Sequence, residues 1–215
     1  MTSVAAGSLI RPVTLEGSHV RLEPLMPAHV PALVEAASRD RSTYQWTTVP
    51  GDAEGMRQYV EAAMALAARE EAVPFATVRR GDGLVLGSTR FANFEWHAWP
   101  EGNPNRRKGG PDGVEIGWTW LSGEAQRTAI NTEAKYLMLR HAFETWGVRV
   151  VRLKTDSRNE RSRAAIQRIG CQFDGVIRAH SPGADGTLRD SAYYSMLDTG
   201  WPAAREALEA RLARG

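Results

Sequence analysis

The sequence predicts a mixed α/β or α+β domain built on one central sheet. Segments of strand and helix period interleave along the 215 residues in the order β-α-α-β-β-β-α-β-α-β-β-α, as expected when helices pack on a sheet. No internal repeat or linker splits the chain into two cores, and its length fits one ordinary domain. A chain of this size buries roughly 70% of the surface its unfolded form exposes. It therefore needs neither disulfides nor a structural metal to fold.

The elements follow in order. Residues 1–8 read as a loose tail. His19 to Leu25 alternates as a strand. Val30, Leu33, Val34 and Ala37 recur at helical spacing, and so do Met56, Tyr59, Val60, Ala63 and Ala67. Asp52 is placed to cap the second of these helices. Strands near Phe75–Arg80 and Leu84–Phe94 are joined by a turn at Gly81–Gly83. A polar loop from His97 to Asp112 leads to a third strand, Val114 to Leu121. The strongest helix runs roughly from Asn131 to Trp146 and stops at Gly147. Then come a strand at Val150–Thr155, a helix from Glu160 to Ile169 and a strand from Cys171 to Ile177. A turn at Asp185–Gly186, a strand from Arg189 to Met196 and a helix opened by Pro202 complete the chain.

Composition narrows the function. The 27 basic and 25 acidic residues give a net charge of +2, which is no basic domain. The dense run Arg106–Arg107–Lys108 sits among Gly, Pro and Asn and reads as a solvated loop, so nucleic-acid binding is not expected. Cys171 is the single cysteine; it excludes an intrachain disulfide, argues against a zinc cluster and suits a reducing cytosol. No signal peptide or membrane span is read, which again points to the cytoplasm. No metal site, P-loop or nucleophile elbow stands out.

Three places carry chemistry. Gln126–Arg127–Thr128–Ala129–Ile130–Asn131 joins a strand to a helix start, where unpaired N–H groups and the helix dipole favour an anion. An ordinary helix capped by Asn131 or Thr132 explains the same residues. The second place is Asn159–Glu160–Arg161–Ser162 at the next helix start, where Ser162 also reads as a serine that satisfies backbone groups. The third is Glu115. An amine nucleophile arrives as ammonium and must lose a proton, a task that suits a carboxylate; an exposed strand-end glutamate explains the residue equally well. Strict alternation puts Glu115 with Gly117 and Thr119, and puts Val114, Ile116, Trp118 and Trp120 on the other face. Gly117 marks a bulge or a close ligand approach. His141, within the long helix, reads as a packing residue, and His97 as lining a pocket or decorating its loop.

Together these segments resemble the GNAT acetyltransferases over roughly His19 to Leu212. Gln126 to Asn131 is similar to the family's acetyl-CoA pyrophosphate arm, with Ala129 where that pattern has glycine. Asn131–Thr132–Glu133–Ala134–Lys135 resembles the RimJ/RimL branch, which acetylates ribosomal-protein N-termini. The resemblance implies the GNAT fold, a twisted mixed sheet of about seven strands flanked by helices and split in a V that takes acetyl-CoA. It implies Gln126, Arg127, Thr128, Ala129, Ile130, Asn131, Thr132, Asn159 and Ser162 as cofactor ligands. In many members a tyrosine protonates the leaving thiolate; Ile166 aligns with it here, so Ser162, one turn earlier, is expected near the sulfur. Asn159 is expected to hold pantetheine or a water, and Glu115 matches a frequent position of the base.

These expectations describe transfer from acetyl-CoA to a primary amine by direct attack in a ternary complex. An extended peptide's α-amine comes first as acceptor, with the His97–Asp112 loop edging its groove. A small amine such as a polyamine, amino acid or aminoglycoside is the second enzymatic reading. A non-catalytic acyl-CoA-binding module is the third. A homodimer is compatible with all three.

Overall fold

The computed structural model describes residues 9–104 and 110–214. Among the described residues eight strands form one sheet, β1 Leu15–Glu16, β2 Val20–Pro24, β3 Ala72–Arg79, β4 Val85–Glu95, β5 Gly113–Leu121, β6 Val150–Asp156, β7 Gln172–Pro182 and β8 Leu188–Leu197. Their spatial order is β1-β2-β3-β4-β5-β6-β8-β7. Neighbours are antiparallel except β5 and β6. The expected count of about seven becomes eight because Leu15 and Glu16 pair with Leu22 and Arg21 as a short edge strand. The GNAT-type sheet expected from the sequence is otherwise what forms.

Among the described residues five α-helices flank it, α1 Val30–Ser38, α2 Ala53–Ala68, α3 Ala129–Arg140, α4 Glu160–Arg168 and α5 Trp201–Leu212. Asp52 caps α2, accepting the Gly55 N–H at 2.7 Å. One apolar cluster joins α1 and α2 to the sheet through Leu33, Met56, Val60 and Trp120. A second joins α3 and α5 to it through Leu137, Met138, Phe91, Val114 and Trp201. The Glu133 carboxylate of α3 accepts the backbone N–H groups of Ser18, His19 and Val20 at 2.8, 2.6 and 2.7 Å. That carboxylate ties the first hairpin to the helix. A Cβ on Gly17 would lie 2.3 Å from the Glu133 carboxyl carbon and would push the carboxylate off these three N–H groups.

The long helix departs from its expected form at both ends. It begins at Ala129, not Asn131, because Thr128 is extended and its hydroxyl accepts the Ile130 N–H at 3.2 Å. Asn131 and Thr132 are therefore helical residues and not caps. After Arg140 the backbone widens into a π-helical turn, His141–Trp146, and Gly147 ends it in the left-handed region with φ of 66°. His141 packs against Phe91 and Trp146, and burial holds its pKa below the usual histidine range.

Strand β5 departs further. Arg90 stands opposite Gly117 and Ser88 opposite Trp120, so β5 spends three steps where β4 spends two. The extra residue is a bulge, and Trp118 takes a left-handed φ of 50° to form it. The bulge inverts the alternation. Val114 and Ile116 face α3, as do Thr119 and Leu121, whereas Trp120 packs in the α1–α2 cluster. The single-face assignment of Val114, Ile116, Trp118 and Trp120 is corrected accordingly.

Candidate active site

Parallel pairing between β5 and β6 covers only Gly113–Glu115 against Val150–Arg152. Beyond it the strands separate, and a cavity of about 650 Å³ opens between them. Its wall includes Glu115, Gln126, Arg127, Thr128, Asn131, Thr132, Asn159 and Ser162. Of the residues singled out from the sequence, Ala129 and Ile130 do not line it. Ile130 is buried in the α3-side core, and Ala129 is the first residue of the helix.

At one end of the cavity stands the N-terminus of α3. Its first-turn N–H groups carry partial positive charge and lack intrahelical partners. Arg127, exposed and in the left-handed region with φ of 62°, sets the turn. The Gln126 amide is committed to the Leu121 carbonyl at 3.0 Å, so this side chain braces the loop.

A second helix start faces the first. The Asn159 side-chain oxygen caps α4 by accepting the Ser162 N–H at 3.0 Å. Capping thus falls to Asn159. The Ser162 hydroxyl has no hydrogen-bond partner among the described residues and lines the cavity.

Glu115 shares the cavity wall with both helix starts. It is 6% exposed. Lys154 Nζ and Asn93 Nδ2 each donate to its Oε2 at 3.0 Å. Its Oε1 accepts no hydrogen bond among the described residues and lies toward Gly117, where a Cβ would stand 3.0 Å away. One oxygen is therefore fixed and ionically paired while the other remains available.

The match to known proteins follows this geometry. Residues 19–172 match the family model described as Acetyltransferase (GNAT) domain. The chain belongs to the GNAT acetyltransferase family. Membership makes it an acetyl-CoA-dependent N-acetyltransferase. A GCN5-related N-acetyltransferase from Brucella melitensis superposes with TM-score 0.79 at 27% identity, covering 94% of this chain and 86% of that one. A T. thermophilus protein assigned to the acetyltransferases gives 0.74 at 34% identity, covering 94% and 97%. Mycobacterium smegmatis RimJ, in complex with CoA-disulfide, gives 0.77 at 19% identity, covering 93% and 95%. The RimJ likeness is one of fold. No curated protein matches the chain in sequence.

The acetyltransferase cavity suits acetyl-CoA in its charge. Glu115 is the one acidic side chain among its described lining residues, against Arg127, Lys154, Arg161, Arg168 and Arg189. Sequence reasoning missed Lys154, Asn93 and His180. Lys154 follows Arg152 on the face of β6 opposite the apolar Val151 and Leu153, a parity signal that was there to be read. His180 hydrogen-bonds Ser191 Oγ at 3.0 Å and Tyr193 Oη at 3.1 Å, at a wall of the cavity. Its pKa is lowered by burial and by the nearby Lys154 and Arg189. His97 instead sits on its loop, 5.8 Å from the Trp99 ring. Arg106, Arg107 and Lys108 lie outside the described residues, as does the 1–8 tail. Among the described residues no helix is long and apolar enough to cross a membrane.

Proposed function

We propose that this chain, acting as a single domain, transfers acetyl from acetyl-CoA to a primary α-amine by direct attack in a ternary complex. The observation that carries the proposal is Glu115, a buried carboxylate at the cavity wall with one oxygen held by Lys154 and Asn93 and the other without a hydrogen bond among the described residues. Acetyl-CoA supplies an acyl group already activated as a thioester. The α3 N-terminus, with Arg127, Thr128 and Asn131, would hold its phosphates. Asn159 would bind pantetheine through its side-chain N–H, since its oxygen is spent on the cap.

Glu115 Oε1 takes the proton from the incoming ammonium, and the free amine then attacks the acetyl carbonyl carbon. The new C–N bond forms as the C–S bond breaks; the Ser162 hydroxyl donates its proton to the departing sulfur and is resupplied by the second proton of the acylated nitrogen, so that a neutral amide and the CoA thiol are the products. Burial pushes the Cys171 thiol up to about 12. It therefore remains a neutral thiol at neutral pH, which supports transfer without an acetyl-enzyme.

The test is thiol release with an amine panel of peptides and small amines. Positioned acid–base groups contribute about 10² to 10⁴ in rate, so Glu115→Gln should lower kcat by a factor in that range while acetyl-CoA still binds. A loss below tenfold would remove Glu115 from the role of base. No thiol release with any amine would favour the binding-module reading.

A further inference from the structure

Arg90 is 3% exposed. Its guanidinium carbon stands 5.1 Å from the Tyr59 ring centroid and 5.1 Å from that of Trp118. Among the described residues it makes no salt bridge and no side-chain hydrogen bond, and its Nε is fully buried without a partner. A buried cation left without an anion is costly, and stacking on two rings recovers only part of that cost. No role in binding acetyl-CoA or in moving protons accounts for it.

Its position suggests what it awaits. On β4 Arg90 pairs across to Gly117 and Ala92 to Glu115, so Arg90 and Glu115 are diagonal neighbours on one face of the sheet. Such neighbours lie roughly 7–8 Å apart. Arg90's direct partner on β5 is Gly117, which puts no side chain beside the guanidinium; a Cβ there would stand 3.0 Å from Glu115 Oε1. Tyr59 and Trp118, the two rings on the guanidinium, both line the cavity. Trp118 is 43% exposed and stands on the β5 bulge. A base with a free oxygen thus lines the cavity, and a cation without an anion lies just behind two of the cavity's lining rings.

We propose that Arg90 anchors a carboxylate of the acceptor, so that the enzyme acetylates amines carrying a carboxylate a few bonds from the nitrogen. The reacting amine lies against Glu115 Oε1, the carboxylate accepts two parallel N–H bonds from the guanidinium, and the Trp118 ring turns aside to admit it. The cationic excess of the wall acts in the same direction, since it repels polyamines. The carboxylate has two possible sources, the α-carboxylate of a free amino acid or the side chain of an acidic residue opening a peptide. This inference deepens the reading of Glu115 as the base and rests on it.

The test has a kinetic and a binding arm. kcat/KM is measured for free amino acids, their amides, peptide amides beginning with Asp or Glu, and spermidine, using wild type, Arg90→Met and Arg90→Lys. Wild type should prefer carboxylate-bearing acceptors about 100-fold over the matching amides. Arg90→Met should abolish that preference, and Arg90→Lys should restore part of it. Faster turnover of free amino acids assigns the α-carboxylate, and faster turnover of the acidic peptide amides assigns the side chain. In the binding arm, N-acetyl-amino acids and their amides are titrated calorimetrically into the CoA complex. The acids should bind more tightly than the amides in wild type, and Arg90→Met should erase the difference without changing CoA affinity. Equal rates and equal binding for acid and amide would overturn the proposal. So would an Arg90→Lys enzyme that weakens both alike. Failure of the general reading is distinguishable: acid-selective binding would persist without any turnover.

Discussion

Lys135 allows a measurement that bears on the interior of this enzyme. Its Nζ lies 3.1 Å from Thr89 Oγ1 and 2.6 Å from Thr119 Oγ1, and those two hydroxyls are 2.8 Å apart. No carboxylate takes part in this triangle. Burial therefore dominates, and the pKa falls from its ordinary 10.5 to about 7. A change of that size corresponds to roughly 5 kcal/mol between charged and neutral forms. The sign follows from proton counting. Between about pH 7 and pH 10.5 the unfolded chain holds a proton on this lysine that the folded chain has released, so stability rises with pH across that window. The contribution is fully present above the unfolded value and is lost as pH falls to about 7. Lys135→Met removes the titration and leaves the two threonine hydroxyls to pair with each other. At pH 7 the variant should be the more stable protein. From pH 7.5 to 9.5 its advantage should shrink by roughly 2–3 kcal/mol, at about 1.4 kcal/mol per pH unit. Urea unfolding of both proteins at matched pH gives this difference, in which every other titrating group cancels. A gap constant to within about 0.5 kcal/mol would refute the claim that Lys135 loses its proton in the folded state.

Further outcomes follow from the same contacts. Ser162→Ala should slow turnover roughly 10- to 100-fold with little change in acetyl-CoA affinity, because its task arises as charge develops on sulfur; a rise in the acetyl-CoA dissociation constant with unchanged kcat would make it a binding residue instead. Cys171→Ala should retain activity and give no acetylated protein by mass spectrometry, whereas an acetyl group trapped on the wild-type cysteine would establish a covalent route. Glu133→Ala strands three backbone N–H groups and should cost about 3 kcal/mol, or roughly 6–12 °C in Tm for a chain of this length. Calorimetry showing a loss below about 1 kcal/mol would mean that water replaces the carboxylate.

Much of this architecture could be read from periodicity, because burial imposes it residue by residue. The strand and helix order, the stop at Gly147 and the Asp52 cap all have local causes and local signatures. What escaped reading depends on partners distant in sequence. Thr128 is the cap of α3 because its neighbours bend at Arg127, and a nearby Asn131 looks equally suitable when only residue types are known. The inversion at Trp118 requires a non-glycine residue in the left-handed region, which no propensity foretells. Glu115 stood out as a carboxylate beside a strand glycine. Its partners Lys154 and Asn93 come from β6 and β4 and meet it only when the sheet closes. Arg90 escaped for a related reason, since an arginine in a strand reads as solvated until it is found buried between rings.

The separation of β5 from β6 creates two more sheet edges, and both look into the molecule. An outer edge invites pairing with other chains and has to be guarded. These inner ones can accept only something slender that enters from solvent and offers donors and acceptors at peptide spacing. Recognition of that kind is read by main-chain atoms, and replacing a side chain does not delete a main-chain amide. Sequence on these strands is then free to drift while the gap keeps its shape.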